Sequence, residues 1–303
     1  MKRKLKVSLF CLLLFIGGAI NLQGQETGHY VPGITGIKGG TLPPPGFYYI
    51  MHNVAYSANS YFGGDGNEVA IDFDINVFVN AHRFVYVWED VLFGANYATN
   101  LIVPLVNTDI SIGAFGVDDN QFGLGDIIFD PMILSWNKDK YDVAFGLGAV
   151  APTGSYDITK AASPGKSFWT GLLTLGGTYY LDAHKSWHAS ILSRYEIHSK
   201  KKDFDVTAGN DFTFEWGLGK TIPADFIWNV GVSGYSHWQV TEDKGSDVLY
   251  DASIKDRVFA AGPEVTCFIP PLKLNIELRG QYEFGAIDRP QGSKVCLSFI
   301  KIF

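Results

Sequence analysis

Apolar and polar residues alternate along much of this chain, and the longest uninterrupted run lies between Leu272 and Phe284. Every second residue of this run is apolar or glycine. The residues between them are charged or carry an amide: Lys273, Asn275, Glu277, Arg279, Gln281 and Glu283. Because successive side chains of a β-strand point to opposite faces, the run predicts a strand with one apolar face and one polar face.

The same period of two recurs from residue 46 onwards and predicts twelve strands, with ten and fourteen as alternative counts. Most of the predicted strands exceed the about 9–11 residues that a tilted membrane-spanning strand needs. Segment 80–90 departs from the pattern and is expected to form an extra strand or a plug-like turn. The predicted strands are 46–60, 67–79, 91–106, 121–137, 140–152, 168–181, 186–199, 208–220, 226–240, 256–268, 272–284 and 293–303.

The connections between the predicted strands alternate between short and long. Short ones lie near 138–139 and 221–225, for example, and long polar ones near 153–167 and 241–255. Short periplasmic turns and longer outer loops are typical of bacterial outer-membrane barrels. Strands in lipid must also close on themselves, because no sheet edge can stay unpaired there. The sequence therefore predicts an all-β fold, a transmembrane antiparallel β-barrel over residues 46–303, in the outer membrane of a Gram-negative bacterium.

The beginning of the chain has the pattern of a secretory signal peptide. Basic residues at positions 2, 3, 4 and 6 precede an apolar run from Val7 to Ala19. At roughly 13 residues this run is shorter than the ~20 that a membrane-spanning helix needs, which favours a cleaved signal over a membrane anchor. We predict a signal peptide at residues 1–24, with cleavage before Gln25, and a periplasmic segment at residues 25–45.

Charge and composition exclude several function classes. Residues 25–303 contain 20 Lys and Arg against 31 Asp and Glu, a net charge of −11, which argues against nucleic-acid binding because phosphate contacts need a basic surface. The sequence holds no phosphate-binding loop and no His-Glu-x-x-His motif. We therefore expect no cofactor, no metal and no enzymatic activity. Cys267 and Cys296 are expected to stay unpaired, because a third strand lies between the two predicted strands that carry them.

Motifs in a consistent order and spacing carry a family resemblance. They are Gly123-Leu124-Gly125-Asp126 with Pro131, Ala151-Pro152-Thr153-Gly154-Ser155-Tyr156-Asp157, Gly234-Tyr235, Gln239-Val240-Thr241-Glu242-Asp243-Lys244-Gly245, Gly262-Pro263, and Glu283-Phe284 with Arg289-Pro290-Gln291-Gly292. Together they resemble the outer-membrane family of the meta-pathway of phenol degradation, whose members are described as candidate transporters. The resemblance implies a barrel that moves hydrophobic or aromatic compounds across the outer membrane. It carries over no functional residues.

The resemblance and the predicted fold together define the expected partners. They are outer-membrane lipids, a small hydrophobic or aromatic substrate, and the barrel-assembly machinery during biogenesis. The barrel is expected to be a monomer. The resemblance does not make phenol the expected substrate, since the family name describes gene neighbourhoods in some of its members.

Charged residues on the inward faces are candidates for a site in the lumen. Two interpretations are open: fixed charges along a polar conduit or ligand site, and a salt-bridged filling of a narrow barrel, in which buried charges are paired. Arg194, Arg279 and Glu283 are the candidates for a constriction, by charge and side-chain reach. The candidate substrate or lumen residues are Asp126, Arg194, Glu196, Glu215, Arg279 and Glu283. The same faces are predicted to include Asp72, Asp74, Asp130, Glu264, Lys273 and Glu277.

Two other function classes stay open. The first is a barrel lipid hydrolase, since His188 and Ser190 share a face and Ser236 adjoins His237. A nucleophile of this kind needs a base and a third group that orients the base, and the sequence shows no such third group. The second is a structural barrel without a transport role, although the outer loops have no repeats of the kind that adhesion favours.

A barrel that passes apolar compounds is expected to have an opening in its wall. Proline interrupts the hydrogen-bonded ladder of a sheet, so prolines inside predicted strands mark candidate positions for such an opening. These are Pro104, Pro131 and Pro263.

Overall fold

The computed structural model describes residues 27–303 and shows a closed antiparallel β-barrel. The predicted signal peptide lies outside the described residues. The strands are β1 (Gly46–Ala58), β2 (Tyr61–Phe62), β3 (Glu68–Val69), β4 (Phe73–Leu92), β5 (Ala95–Ile112), β6 (Val117–Leu124), β7 (Ile127–Asn137), β8 (Tyr141–Ala151), β9 (Thr170–Tyr180), β10 (Trp187–His198), β11 (Asp211–Ile222), β12 (Ile227–Gln239), β13 (Arg257–Ile269), β14 (Leu274–Ile287), β15 (Arg289–Pro290) and β16 (Ser293–Ile302). Of three short 3-10 helices, Gly36–Lys38 precedes β1, Gly113–Phe115 joins β5 to β6, and Pro270–Leu272 joins β13 to β14.

The barrel wall has twelve strands. β1 closes the ring by pairing with both β4 and β16. β6 and β7 pair in succession with β5 and form one wall strand, interrupted at Gly125 and Asp126. The short strands β2, β3 and β15 form a separate small sheet. The predicted all-β barrel and its count of twelve strands are confirmed.

Short turns connect the wall strands at one end of the barrel, and long loops connect them at the other. Turns 138–140, 181–186 and 223–226 lie at the first end, and loops 152–169 and 240–256 lie at the second. By the pattern of bacterial barrels, the turns face the periplasm and the loops face the outside. We call these the periplasmic end and the outer end.

The outer surface of the wall is apolar between two belts of aromatic side chains. Its middle exposes aliphatic residues such as Leu173, Leu175, Ile191, Val232 and Leu278. The aromatic residues near the strand ends include Tyr86, Trp88, Tyr141, Tyr179, Trp187 and Trp228 at the periplasmic end, and Trp169 and Tyr282 at the outer end. Such belts lie where a membrane meets water. Among the described residues, no helix has the length and apolar character that crossing a membrane requires.

The predicted strands at 67–79 and 91–106 are wrong in their bounds. The structure has one long hairpin here, β4 and β5, of 20 and 18 residues, which turns at Phe93 and Gly94. Segment 80–90 belongs to β4 and is neither an extra strand nor a plug-like turn. Its alternation is hidden because both of its faces are mainly apolar: Ala81, Val85 and Val87 are buried, whereas Phe84, Tyr86 and Trp88 are exposed.

The inward placement of Asp72, Asp74 and Lys273 is wrong. Asp72 and Asp74 are exposed, because β4 extends beyond the aromatic belt at the outer end, where its outward face meets water. Lys273 is exposed in a periplasmic turn with a φ of 45°. The side chains of β4 that line the lumen are apolar, such as Ile75, Val77 and Val79, except for Arg83, which donates to the Asn100 side-chain oxygen at 2.9 Å.

Candidate functional site

The lumen contains the chain that precedes the first wall strand. Residues 27–45, which we call the lumen segment, run from the outer end of the barrel to the periplasmic end. At the outer end the Lys166 ammonium group donates to the carbonyl oxygen of Thr27 at 2.7 Å. At the periplasmic end the Thr41 hydroxyl donates to the Asp142 carboxylate at 2.9 Å. Residues 25–45 were expected in the periplasm, but the described part of this range lies inside the barrel because inward-facing charges of the wall bind it.

Glu215, on β11, holds the middle of the lumen segment. The backbone N–H groups of Gly33 and Thr35 donate to its carboxylate at 2.9 and 3.2 Å. The hydroxyl groups of Tyr30 and Thr35 donate to it as well. The residue is 3% exposed, and a buried carboxylate is tolerated only when it is paired or hydrogen-bonded. The lumen segment therefore supplies the donors that allow Glu215 to be buried.

Arg279 and Glu264, on neighbouring strands β14 and β13, bind the next part of the segment. The Nε and Nη2 atoms of Arg279 donate to the two carboxylate oxygens of Glu264 at 2.7 and 2.9 Å. Its Nη1 atom donates to the carbonyl oxygens of Gly33 and Ile34, both at 3.0 Å. The N–H group of Ile37 donates to Glu264 at 3.0 Å. The hydrogen-bonding groups that this bidentate pair has left thus bind the backbone of the lumen segment.

Two glycines allow the lumen segment to lie this close to the wall. Gly36 has a φ of +73°, a left-handed conformation that glycine adopts without strain. Gly217, on β11, faces the segment, and a Cβ atom there would lie 2.5 Å from the Cα atom of Ile37. Both positions therefore depend on the absence of a side chain.

Glu196 and Asp126 hold the outer end of the lumen segment. Glu196 accepts hydrogen bonds from the backbone N–H groups of His29 and Tyr30 at 3.0 and 3.1 Å. The His29 ring lies between Asp126, 2.9 Å from Nε2, and Thr170, 2.7 Å from Nδ1. Both carboxylates are buried, so the wall binds this end through charged acceptors as well.

Asp126 also ties the outer loop to the wall. Its two carboxylate oxygens accept the backbone N–H groups of Gly154 and Lys166, both at 2.8 Å. Asp126 lies at the break between β6 and β7, where Ile127 resumes the ladder. A single carboxylate therefore joins the lumen segment, loop 152–169 and the interrupted strand.

The two sides of the lumen differ in polarity. Along the middle of the segment, the polar contacts come from the side formed by β10 to β14 and by β16, whose Lys294 donates to the carbonyl oxygen of Pro32. The opposite side, formed by β1, β4 and β5, is mainly aliphatic, and Val54, Val79 and Val106 form a cross-strand row on it. A cavity of about 1050 Å³ lies in the lumen. Its apolar lining on these three strands comprises Ile50, Val54, Ile75, Val77, Val79, Ala81, Val85, Ile102, Pro104 and Val106.

The predicted constriction residues occupy different settings. Arg194 lines the cavity, and its guanidinium carbon lies 4.0 Å from the centre of the Tyr30 ring. Arg279 is fully buried beneath the lumen segment. Glu283 lines the cavity but accepts hydrogen bonds from the Tyr235 and Tyr56 hydroxyls at 2.6 and 2.8 Å. Arg194 is therefore the one of the three whose charge faces the cavity without an acidic partner at hydrogen-bond distance among the described residues.

The three strand prolines also differ in their surroundings. Pro131 lies at register shifts of β7 against both neighbours. Beside it the outer surface has a cleft of about 320 Å³, and Asn100 and Asp130 line both this cleft and the lumen cavity. Pro104 lines the lumen, and Pro263 pairs with Val232 on β12 but has no partner on β14. Of the three prolines, Pro131 is therefore the one beside which the same residues line an outer cleft and the lumen cavity.

The residues considered for a hydrolase are arranged differently from a nucleophile and its base. The Ser190 hydroxyl donates to the carbonyl oxygen of Ile37 at 2.9 Å, and neither ring nitrogen of the buried His188 has a hydrogen-bond partner among the described residues. The Nδ1 atom of His237 lies 2.9 Å from the Thr213 hydroxyl instead of contacting Ser236. The serines named in the sequence analysis are thus not hydrogen-bonded to a histidine.

The lumen segment and the apolar side of the lumen were not predicted from the sequence. Five glycines between residues 28 and 40 were the available signal for the segment, because glycines are common where the backbone lies close to another part of the protein. Each of the six candidate lumen residues contacts the lumen segment or lines the cavity: Asp126, Arg194, Glu196, Glu215, Arg279 and Glu283.

Comparisons with solved structures agree with the barrel. The COG4313 outer membrane channel from Pseudomonas putida F1 is similar with a TM-score of 0.73 and 16% identity, over 90% of this chain and 100% of that chain. The β domain of the Bordetella autotransporter Brka has a TM-score of 0.54 and 12% identity, over 86% of this chain and 100% of that chain. At these identities the similarity shows the fold. None of the curated proteins matches the sequence.

The closed barrel, its aromatic belts and its structural relatives identify an outer-membrane protein. A sequence model described as "Putative MetA-pathway of phenol degradation" matches residues 58–299, which is most of the wall. The resemblance found in the sequence motifs is thereby confirmed. The chain belongs to this family of outer-membrane β-barrels.

Proposed function

We propose that small hydrophobic or aromatic molecules cross the outer membrane along the apolar side of the lumen, next to the lumen segment. The observation that carries this proposal is the division of the lumen. Glu215, Glu264 and Arg279 are engaged by the segment, whereas the aliphatic side formed by β1, β4 and β5 borders the cavity. What enters the cavity therefore meets a largely apolar surface on that side.

The size and chemistry of the cavity support small apolar ligands. Its volume of about 1050 Å³ is at the upper end of the roughly 300–1,000 Å³ of typical ligand sites, which leaves room for single-ring and double-ring compounds. Contact with the valine row removes apolar surface from water, which contributes about 25 cal/mol per Å². The family description, which names phenol degradation, is consistent with aromatic ligands.

Uptake by whole cells tests this proposal, because a lipopolysaccharide-containing outer membrane slows the direct entry of apolar compounds. We expect Val79→Asn, which puts an amide into the valine row, to lower the initial rate of toluene uptake several-fold. Val69→Asn is the matched control, since Val69 is exposed in β3 outside the lumen. Equal uptake by the two variants, at equal amounts of folded barrel, contradicts the proposal and favours a barrel without a transport role.

A further inference from the structure

Three buried side chains converge at the outer end of the barrel. The Nε2 atom of His237 lies 3.6 Å from Oδ1 of Asp211 and 3.5 Å from Oδ1 of Asp256. One donor atom from each residue lies within 4.8 Å of the others. Asp211 begins β11, His237 lies near the end of β12, and Asp256 directly precedes β13. Three neighbouring strand ends thus bring an imidazole and two carboxylates together, although the sequence separates them.

The two distances from His237 to the carboxylates are close to those between ligands of one metal ion. Hydrogen bonds from N–H groups to oxygen are usually about 2.7–3.2 Å long, so 3.5 and 3.6 Å are long for such bonds. A tetrahedral Zn²⁺ ion with bonds of about 2.0–2.1 Å separates adjacent ligand atoms by about 3.3–3.4 Å. We propose that Asp211, His237 and Asp256 bind one divalent transition-metal ion, such as Zn²⁺, with the fourth position open to water.

The surroundings hold each ligand in place. The Nδ1 atom of His237 lies 2.9 Å from the hydroxyl group of Thr213, which orients the ring so that Nε2 faces the carboxylates. The second carboxylate oxygen of Asp211 lies 3.1 Å from Nε2 of His198. Hydrogen bonds of this kind, made by groups behind the ligands, are typical of protein metal sites.

Charge balance also favours a cation here. Asp211 and Asp256 are 3% and 2% exposed, and burying two carboxylates requires compensating charge. Arg289 supplies one positive charge, with Nη1 at 3.4 Å from Oδ1 of Asp256. Two carboxylates and one guanidinium group leave one net negative charge, which favours a cation between His237 and the carboxylates.

The site lies where the lumen segment meets the wall. A Cβ atom on Gly28 would come within 2.3 Å of Oδ2 of Asp211, so the segment passes directly beside this ligand. An ion bound here joins the outer ends of β11, β12 and β13 around that point. Because the unfolded chain lacks the assembled site, binding stabilises the folded barrel by mass action.

Titration of the refolded full chain with metal tests the site. The protein is purified with a tag free of histidine, treated with a chelator, and titrated with Zn²⁺ by calorimetry and with Co²⁺ by visible absorption. We expect one ion per barrel and the strong d–d absorption of tetrahedral Co²⁺. His237→Gln and Asp256→Asn are expected to lower the affinity for Zn²⁺ at least about tenfold.

His52→Gln is the matched control. His52 is also a buried lumen histidine, but it lies on β1 and contacts Ser298 at 2.8 Å, so its replacement is expected to leave the affinity unchanged. Folding of each variant is checked by its heat-modifiable migration in gels. Failure of the wild type to bind Zn²⁺ saturably, or binding by His237→Gln equal to that of the wild type, overturns the proposal. The Co²⁺ spectrum of the wild type decides the matter even where a variant does not fold.

Discussion

Gly36 in the lumen segment lies directly against Arg279 on the wall. A Cβ atom at Gly36 would come within 1.9 Å of Nη2 of Arg279 and 2.3 Å of a carboxylate oxygen of Glu264. Arg279 and Glu264 are buried as a bidentate pair, so neither can move aside without loss of hydrogen bonds. The fit of the segment in the barrel therefore depends on this glycine.

Replacement of Gly36 is expected to displace the segment. Gly36→Ala adds both the clash with Arg279 and strain at a φ of +73°, and the ion conductance of the barrel should rise several-fold. Gly94→Ala is the matched control, since Gly94 has a φ of +66° but nothing within 4 Å of the added Cβ atom. Planar-bilayer recording measures both variants. Equal conductance in the two variants contradicts a close fit of the segment at Gly36.

Loss of the Glu215 charge is expected to loosen the middle of the segment. Glu215→Gln replaces one of the two acceptor oxygens with an NH₂ group, which then faces either the donors of Gly33 and Tyr30 or the two donors of Thr35. This destabilises the bound segment by about 1–3 kcal/mol. Hydrogen exchange of residues 27–45 should accelerate. The control is Glu277→Gln, because the contacts of Glu277 are with Asn275 and Arg279 on its own strand. Acceleration of equal size in both variants argues against Glu215 as the anchor.

The wall beside Pro131 is expected to matter for apolar compounds. Pro131→Val allows the ladder between β5 and β7 to continue, which narrows the cleft that shares Asn100 and Asp130 with the lumen. Toluene uptake should fall while ion conductance stays the same. Pro263→Val is the control, since Pro263 already pairs with Val232 on β12. Unchanged uptake in a correctly folded Pro131→Val barrel excludes a route through this part of the wall.

The outer loops are expected to keep one contact in acid. The hydrogen bond from Lys200, with further ones from Ser246, lowers the pKa of Asp205 to about 2. Because this pKa is below the ordinary 3.8 of Asp, the stabilisation is present above pH 3.8 and is lost as the pH falls towards 2. Limited proteolysis of loop 240–256 should therefore be slow at pH 5 and faster near pH 2.

Two aspartates of the loop between β10 and β11, Asp205 and Asp203, separate this contact from general charge effects. Asp205→Asn should make loop 240–256 sensitive to protease already at pH 5, because it removes the partner of Lys200 and Ser246. Asp203→Asn, an equal charge change two residues away, should behave as the wild type. Equal sensitivity of the two variants shows that the pair does not hold the loops together.

The alternation of polar and apolar residues predicted most of the wall, because the alternation is visible in the sequence wherever a strand has one polar face and one apolar face. The inward faces of β10, β11 and β14 follow from positions such as Glu196, Glu215 and Arg279, which alternate with lipid-facing residues. The hairpin of β4 and β5 was not predictable in this way, because Val85 inside and Phe84 outside are both apolar. An apolar lumen removes the contrast on which the pattern depends.

The lumen segment and the group formed by Asp211, His237 and Asp256 were not predicted, for another reason. Residues 27–45 carry no strand pattern, and their partners are far away in sequence, as with His29 and Glu196. Asp211, His237 and Asp256 come together through strand register, which spacing along the chain does not display. These contacts form only when the barrel closes, whereas the pattern of polar and apolar residues indicates only local conformation.

Single-channel recording with an added aromatic tests the central claim most directly. The refolded, heat-modifiable wild type is placed in a planar bilayer and its ion current is measured before and after phenol or toluene is added. The apolar side of the lumen predicts a reversible decrease of the current in the wild type and a weaker decrease in Val79→Asn. A current that the aromatic compound leaves unchanged, or lowers equally in both proteins, contradicts the claim that small apolar molecules enter the lumen along the valine row.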